Sequence, residues 1–364
     1  MKISRIFHSC LFLLSLFITI ISSLTKESSL SCNPSTQLDF SDKQFSENSQ
    51  KFHLQKEDLP TSELKDSPLI IYVDASNTQE NPNGTIENPY TSIDDAFNQY
   101  NQVVNCSCTI FVKPNPQPYK VNTELLIAQS DPSFQFIIQS WADPISLYSY
   151  NDCYSQTIVQ FQKTIMLSGY DQVKFAGLTI VTTVASITVS EINTMTISNI
   201  CIDQPNKDPD FFFGILNTTK ITVNNLIIKA SGNSDLLLFC NSNPQRMMNI
   251  QSENITIGYY AETQFDPENS LMTFQNPSRY AMGFISLINI KLVPNDTLPV
   301  LGNIFKLNYF RIATLTGFTI ESELVDITNV KYGFFEIYNS YHFFLGDVDI
   351  SDMWLYADET AILF

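Results

Sequence analysis

The chain repeats a two-part phrase of apolar and polar positions. In "ITVNNLIIKA" (221–230), apolar residues alternate up to Asn225 and resume after it as Leu226 and Ile228. The phrase recurs in "VKFAGLTIV" (173–181), "MTISNICID" (195–203), "FISLINIKL" (284–292) and "FFLGDVDIS" (343–351). Alternation at period 2 predicts strands with one buried face. Interruption by Gly, Asn or Asp predicts a sharp corner, because these residues tolerate the left-handed backbone it requires. The aligned corners are Gly177, Asn199, Asn225, Asn289, Gly317 and Asp347. Three positions on stand Ile180, Ile202, Ile228, Leu292, Ile320 and Ile350, which predict one buried ladder. A further unit around "ITIGYY" (255–260) fits with poorer register. Between corners lies another apolar strand ending in Asn, at Asn217, Asn241, Asn276, Asn308 and Asn339. One such unit alone exposes an apolar face, and stacking buries it. Stacked Asn side chains are then placed to hydrogen-bond along the stacking axis.

Ahead of the repeats, "LIIYVDASNTQENPNGTIENPYTSIDDAFNQY" (69–100) predicts a strand, a turn-rich loop and a short helix. Thr91 or Ser92 can cap that helix, and Asp94 and Asp95 favour its first turn. Ile93, Ala96, Phe97 and Tyr100 make its apolar face. Strands follow at "CTIFVKP" (108–114), "PYKVNTELLIAQ" and "FQFIIQSW". This succession resembles the entrance of right-handed parallel β-helix proteins, the pectin-lyase-like superfamily. The residues that carry the resemblance are Tyr72, Val73, Gly84, Thr85, Pro89, Tyr90, Ile93, Ala96, Val112, Pro114 and Tyr119. It implies an all-β fold, a parallel β-helix solenoid with a short N-terminal capping helix, and implies no chemistry, since non-catalytic members share the entrance. A leucine-rich-repeat horseshoe is the competing architecture. Its repeat wants L-x-x-L-x-L-x-x-N, whereas these phrases are Ile- and Phe-rich and show no helical return segment.

Composition agrees with a large apolar core: 44% hydrophobic residues, 27 Phe, and only 16% charged residues against an average near 25%. The formal net charge is −17, a sign that repels nucleic acid and anionic headgroups. Residues 1–25 read as a signal peptide, with Lys2 and Arg5 ahead of an apolar run from Leu11 to Ile21 that is too short to span a bilayer comfortably. An uncleaved anchor is the alternative. Cleavage removes two positive charges, so the mature charge is −17 − 2 = −19. No other stretch predicts a membrane span. Residues 26–67 are polar and aperiodic, which predicts a flexible leader or propeptide. Residues 68–364 then form one β-helix domain, with the entry strands and cap at 68–140 and the repeated coils at 141–364. Six cysteines lie beyond the signal: Cys32, Cys106, Cys108, Cys153, Cys201 and Cys240. An even count in an exported chain permits disulfides, with the pairing open. Sequons at Asn83, Asn105, Asn217, Asn254 and Asn295 are candidate glycosylation sites.

Catalytic signals are sparse. "DPDFFFG" (208–214) resembles the Asp-Phe-Ile-Phe-Gly motif of pectin methylesterases, which would make Asp210 a nucleophile. That family's Gln-rich motifs and Gly-Arg-x-Trp segment are missing, as are the Asn-Thr-Asp, Gly-His-Gly and Arg-Ile-Lys motifs of polygalacturonases. His53 and His342 alone follow the signal, too few for a Ser-His-Asp or zinc trio. Outward positions after the corners are Thr179, Cys201, Ile227, Lys291, Thr319 and Asp349, a column without consistent character. The acidic end, with Glu321, Glu323, Asp326, Asp347, Asp349 and Asp352, offers oxygens for calcium, Asp347, Asp349 and Asp352 being the named candidates; a solvated acidic edge is the plainer reading. Tyr259, Tyr260, Trp354 and Tyr356 are aromatics that can stack on sugars or fill the end of the core.

These signals point to a secreted or cell-surface β-helix protein with a structural, glycan-binding or partner-binding role and no resident cofactor. The alternative is a calcium-dependent polysaccharide lyase or hydrolase with a divergent site. "ETAILF" (359–364) reads as the start of another strand, which predicts a last coil covered by a partner, by self-association or by further sequence.

Overall fold

The computed structural model describes residues 68–103, 105–142, 153, 156–181, 185–204, 213–232, 236–243, 246–264, 270–276, 283–293, 300–301, 304–320, 326–330, 335–338, 342–350 and 354–357. The leader and signal segment lie outside this set, as do Cys32, His53, Asp210, Asn295, Glu321, Glu323, Asn339 and Asp352.

The repeated phrases pair side by side, parallel and in register. One long sheet runs through Leu69–Val73, Cys108–Val112, Gln135–Ser140, Gln172–Ala176, Thr194–Asp203, Lys220–Gly232, Asn249–Gln264, Gly283–Val293, Phe310–Ile320 and His342–Ile350. Between its successive strands the chain visits a second parallel sheet, whose last six strands are Ile187–Ser190, Phe213–Leu216, Leu237–Cys240, Met272–Gln275, Phe305–Asn308 and Phe335–Tyr338. Strands that touch are therefore one full pass apart in sequence, as parallel pairing requires. Val300–Leu301, Asp326–Val330 and Trp354–Ala357 add a third, three-stranded sheet.

Register follows the corners. Ile202 pairs with Ile180 and Ile228, Ile228 with Ile257, Ile257 with Leu292, Leu292 with Ile320, and Ile320 with Ile350. The side chains of Ile180, Ile202, Ile228, Ile257 and Leu292 are all buried. Full burial of such a side chain is worth about 1.5–3 kcal/mol, and the ladder repeats that gain at each of these five positions; the side chains of Ile320 and Ile350 lie outside the described set. The unit around 255–260 is not out of step. Its corner is Asn254, which the sequence pattern left unassigned because a longer insertion separates it from the next corner.

Every corner of this series takes the left-handed backbone: Gly177 at φ 67°, Asn199 at 51°, Asn225 at 56°, Asn254 at 59°, Asn289 at 55°, Gly317 at 67° and Asp347 at 51°. The four Asn side chains form a continuous ladder. Asn225 Nδ2 donates to Asn199 Oδ1 at 2.9 Å, Asn254 Nδ2 to Asn225 Oδ1 at 2.9 Å, and Asn289 Nδ2 to Asn254 Oδ1 at 3.1 Å. Gly317 follows Asn289 in the stack, and a Cβ there would lie 2.7 Å from Asn289 Oδ1.

The corner after the second sheet is less regular. Asn217 holds φ 51°, but in the pass through Phe305–Asn308 the left-handed residue is Tyr309, at φ 60°. Asn308 is instead the last strand residue and pairs with Gln275. Asn241 and Asn276 are wholly buried and serve as internal hydrogen-bond donors. Asn241 Nδ2 reaches Arg246 O at 2.5 Å and Asn276 Oδ1 at 3.3 Å, and Asn276 Nδ2 reaches Tyr309 O at 3.2 Å. A buried amide without such partners would be costly.

At the start of the stack, helix α1 (Ile93–Gln102) begins at Ser92, whose Oγ accepts from Asp95 N at 3.1 Å. Its Ile93, Ala96, Phe97 and Tyr100 are buried against the first strands. Beneath it Tyr100 and Tyr170 share a hydroxyl–hydroxyl bond of 2.9 Å, and Gln129 Nε2 donates to both oxygens. Further along, Phe239 and Phe274 stack at 4.6 Å inside the second sheet. An aromatic pair of this kind adds about 0.5–1.5 kcal/mol beyond its burial.

Candidate functional site

Three groups of polar residues near the first strands have structural partners. Asp95 completes the helix cap, because Ser92 Oγ also donates to its Oδ2 at 2.7 Å. Asp94 Oδ1 accepts from the backbone N–H groups of Asn122 at 2.8 Å and Thr123 at 2.7 Å, pinning the loop that follows the strand Tyr119–Val121. In the entrance, Lys113 Nζ lies 2.6 Å from Asp74, and Tyr119 Oη donates to Lys113 O. Burial acts to raise the Asp74 carboxyl, but the ammonium of Lys113 and the donors of Ser76 outweigh it and hold the group below the usual range.

The calcium candidates divide. Asp347 is exposed and takes the left-handed backbone of a corner. Asp349 lies in the strand His342–Ile350 and Asp352 outside the described residues. Among the described residues no group of three or more His, Cys, Asp or Glu side chains converges on one point, and no helix is long and apolar enough to cross a membrane. Of the aromatic candidates, Tyr259, Tyr260, Trp354 and Tyr356 all lie on strands.

The sequons differ in how their amides are used. Asn83 is exposed, and its Oδ1 accepts from Thr85 N at 3.2 Å, an Asx turn at the loop surface. Asn105 is half-buried. Asn217 donates to Glu191 Oε1 at 2.6 Å and accepts from Ser242 N at 2.7 Å. Asn254 is a rung of the Asn ladder, bonded on both sides.

The outward column after the corners is not a free surface along its whole length. Thr179, Cys201 and Ile227 point away from the core yet are buried, at 0%, 1% and 2% exposure. What covers them includes Cys153, which forms a disulfide with Cys201 and packs with Ile227 in a small cluster separate from the main core. Thr179 Oγ1 donates to Cys153 O, and Gln156 Nε2 donates to Asn199 O at 3.3 Å. Cys153 and Gln156, which precede the strand Thr157–Phe161, therefore touch the outer face. Of the other cysteines, Cys106 and Cys108 are buried free thiols, and Cys240 is buried as well. Burial pushes the Cys106 and Cys108 thiols up, away from the reactive thiolate form.

A second outward surface went unread in the sequence: the positions before the corners on the last three long strands. Phe284, Ser286 and Ile288 stand beside Ile312, Thr314 and Thr316, which stand beside His342, Phe344 and Gly346. Phe284 is 39% exposed, Ile288 40% and Phe344 56%. The rings of His342 and Phe344 lie 6.3 Å apart and 22° from parallel. Earlier passes carry Thr194, Thr196 and Ser198, then Lys220, Thr222 and Asn224, at the same positions. The switch from polar to apolar occurs on one face of a regular sheet, so only the register reveals that these side chains stand together.

Comparison with known protein families, curated proteins and solved structures finds no match to this chain.

Proposed function

We propose that this chain is an exported, right-handed parallel β-helix of the pectin-lyase-like kind, with α1 capping its first coil. Its role is to present a rigid outer face to an extracellular glycan or a cell-surface partner, or to serve as structure there. The observation that carries this reading is the unbroken stack of parallel passes, with a buried Ile/Leu ladder and Asn-bonded corners from Asn199 to Asn289. Such a scaffold holds its outward side chains at fixed spacing, which suits recognition of an extended partner. Asp94 and Asp95 support it further, because their carboxylates are engaged in loop and helix structure. The N-terminal signal pattern, the sequons and the Cys153–Cys201 disulfide fit an oxidising, extracellular setting.

Purified protein on a glycan array, with a parallel lyase and esterase assay on polygalacturonate in calcium, tests this. Binding without turnover supports the proposal. Turnover that disappears in Asp210→Ala would replace it with an esterase, and calcium-dependent cleavage that survives that change would replace it with a divergent lyase or hydrolase.

A further inference from the structure

The entrance end of the long sheet carries an aromatic outer surface of its own. On the first four strands Ile70, Thr109, Ile137 and Lys174 stand side by side, as do Tyr72, Phe111 and Gln139 on the first three. They alternate with the buried Ile71, Ile110 and Ile138, so they point away from the core. Three rings gather there. Tyr72 stacks on Phe111 at 5.2 Å and meets Trp141, just past the third strand, at 5.0 Å. Ile70 is 49% exposed, and Tyr72, Phe111, Ile137 and Trp141 are half-buried, so water still reaches these side chains. Lys113 and Asp74 at the margin neutralise each other. What remains is one-sided: among the described residues no acceptor meets the Tyr72 hydroxyl, the Trp141 indole N–H or the Lys174 ammonium. An apolar surface edged by three free donors, one of them a cation, fits an occupant with apolar side chains and carboxylates.

The end of the leader has that composition. "EDLPTSELKD" (57–66) sets Leu59 and Leu64 among Glu57, Asp58, Glu63 and Asp66, with Lys65 as its one base. It is also within reach. The strand of Lys174 lies three spacings from that of Leu69, about 14 Å, and the six residues from Glu63 to Leu69 extend to about 20 Å. A tether this short holds the segment at a millimolar effective concentration. A second copy or an acidic polymer would instead arrive from solution against the chain's net −17.

We infer that residues 57–66 fold back over this surface, with Leu59 and Leu64 on the aromatic cluster and Glu63 paired with Lys174. The contact is internal to the chain, so it stands or falls apart from the binding role proposed above. The chain has two Trp, and Trp354→Phe leaves Trp141 as the sole reporter for acrylamide quenching of the secreted protein. Leu59→Ser with Leu64→Ser changes only the leader, so the fold survives it, and Lys174→Glu changes only an outward position. Quenching of Trp141 should rise about twofold or more in each, and amide exchange of residues 57–66 should be about tenfold slower than that of residues 30–50 before the changes and equal to it after them. Adding Glu63→Lys to Lys174→Glu should restore the shielding, which a merely disturbed sheet would not do. Quenching that ignores both leader substitutions, or unprotected amides at 57–66 in the unaltered protein, overturns the inference. Shielding of Trp141 lost on dilution would assign the surface to a second copy, and shielding that polygalacturonate adds to the unaltered protein would show the surface open to an acidic glycan; either result also overturns it.

Discussion

Asn225→Ala perturbs the fold at the middle of its polar ladder, and its cost can be worked from the geometry. Asn225 gives one hydrogen bond to Asn199 and takes one from Asn254, both at 2.9 Å. Each is worth about 0.5–1.5 kcal/mol net, because the freed partners are half-buried or exposed and regain water. The backbone adds a second cost. Asn225 sits at φ 56°, where an ordinary L-residue pays about 1–2 kcal/mol and Asn pays less. The sum is about 2–4 kcal/mol. Asn225→Gly loses the same two bonds but relieves the backbone, as Gly177 and Gly317 do at equivalent corners, so it should cost about 1–2 kcal/mol less than Ala. Urea unfolding by circular dichroism gives the global value. Because repeat arrays can open piecewise, amide exchange of Thr194–Asp203 and Asn249–Gln264 supplies the local one, with faster exchange expected on both flanking passes. An Ala variant within about 0.5 kcal/mol of wild type would show that the ladder contributes little. A Gly variant as unstable as Ala would show that the corner backbone does not select Asn.

Cys153→Ser with Cys201→Ser opens a loop of 48 residues, for which chain entropy alone predicts a loss of up to about 4 kcal/mol; calorimetry should show a lower melting temperature, and limited proteolysis new cleavage between 141 and 156. Burial, above all, pushes the hydroxyls of Tyr100 and Tyr170 well above the ordinary tyrosine range near 10. The unfolded chain therefore releases those protons first, so stability should be flat toward neutral pH and fall as pH rises past about 10. Urea midpoints across pH 8–11 check this, and Tyr100→Phe with Tyr170→Phe should remove part of the decline. Peptide mapping of protein secreted by a eukaryotic host should find glycan at the exposed Asn83, whereas Asn254→Gln should lower the melting temperature even in unglycosylated protein, since Asn254 is a ladder rung.

Local chemistry alone determined much of this protein. Period-2 alternation identified the strands, and the corner residues were legible because left-handed backbone favours Gly, Asn and Asp. The burial of Ile180, Ile202, Ile228 and Leu292 follows from those two rules together. Ser92 and the apolar face of α1 were readable for the same reason, since a cap and its helix lie within a few residues of one another. What only the tertiary structure decided involves groups a full pass or more apart. Asn254 became a corner only when Ile257 paired with Ile228 and Leu292 across a long insertion. Tyr309 took a corner that composition assigned to its neighbour Asn308, because strand pairing with Gln275 fixed the register one residue earlier. Cys201 and Ile227 satisfied the pattern of outward residues yet are covered, since period 2 says which side of a sheet a residue faces but not what lies on that side. Phe284, Ile288 and Phe344 gather on one surface for the matching reason. Phe284 and Ile288 share one pass and Phe344 lies two passes on, and parallel stacking across passes of unequal length is what brings them together.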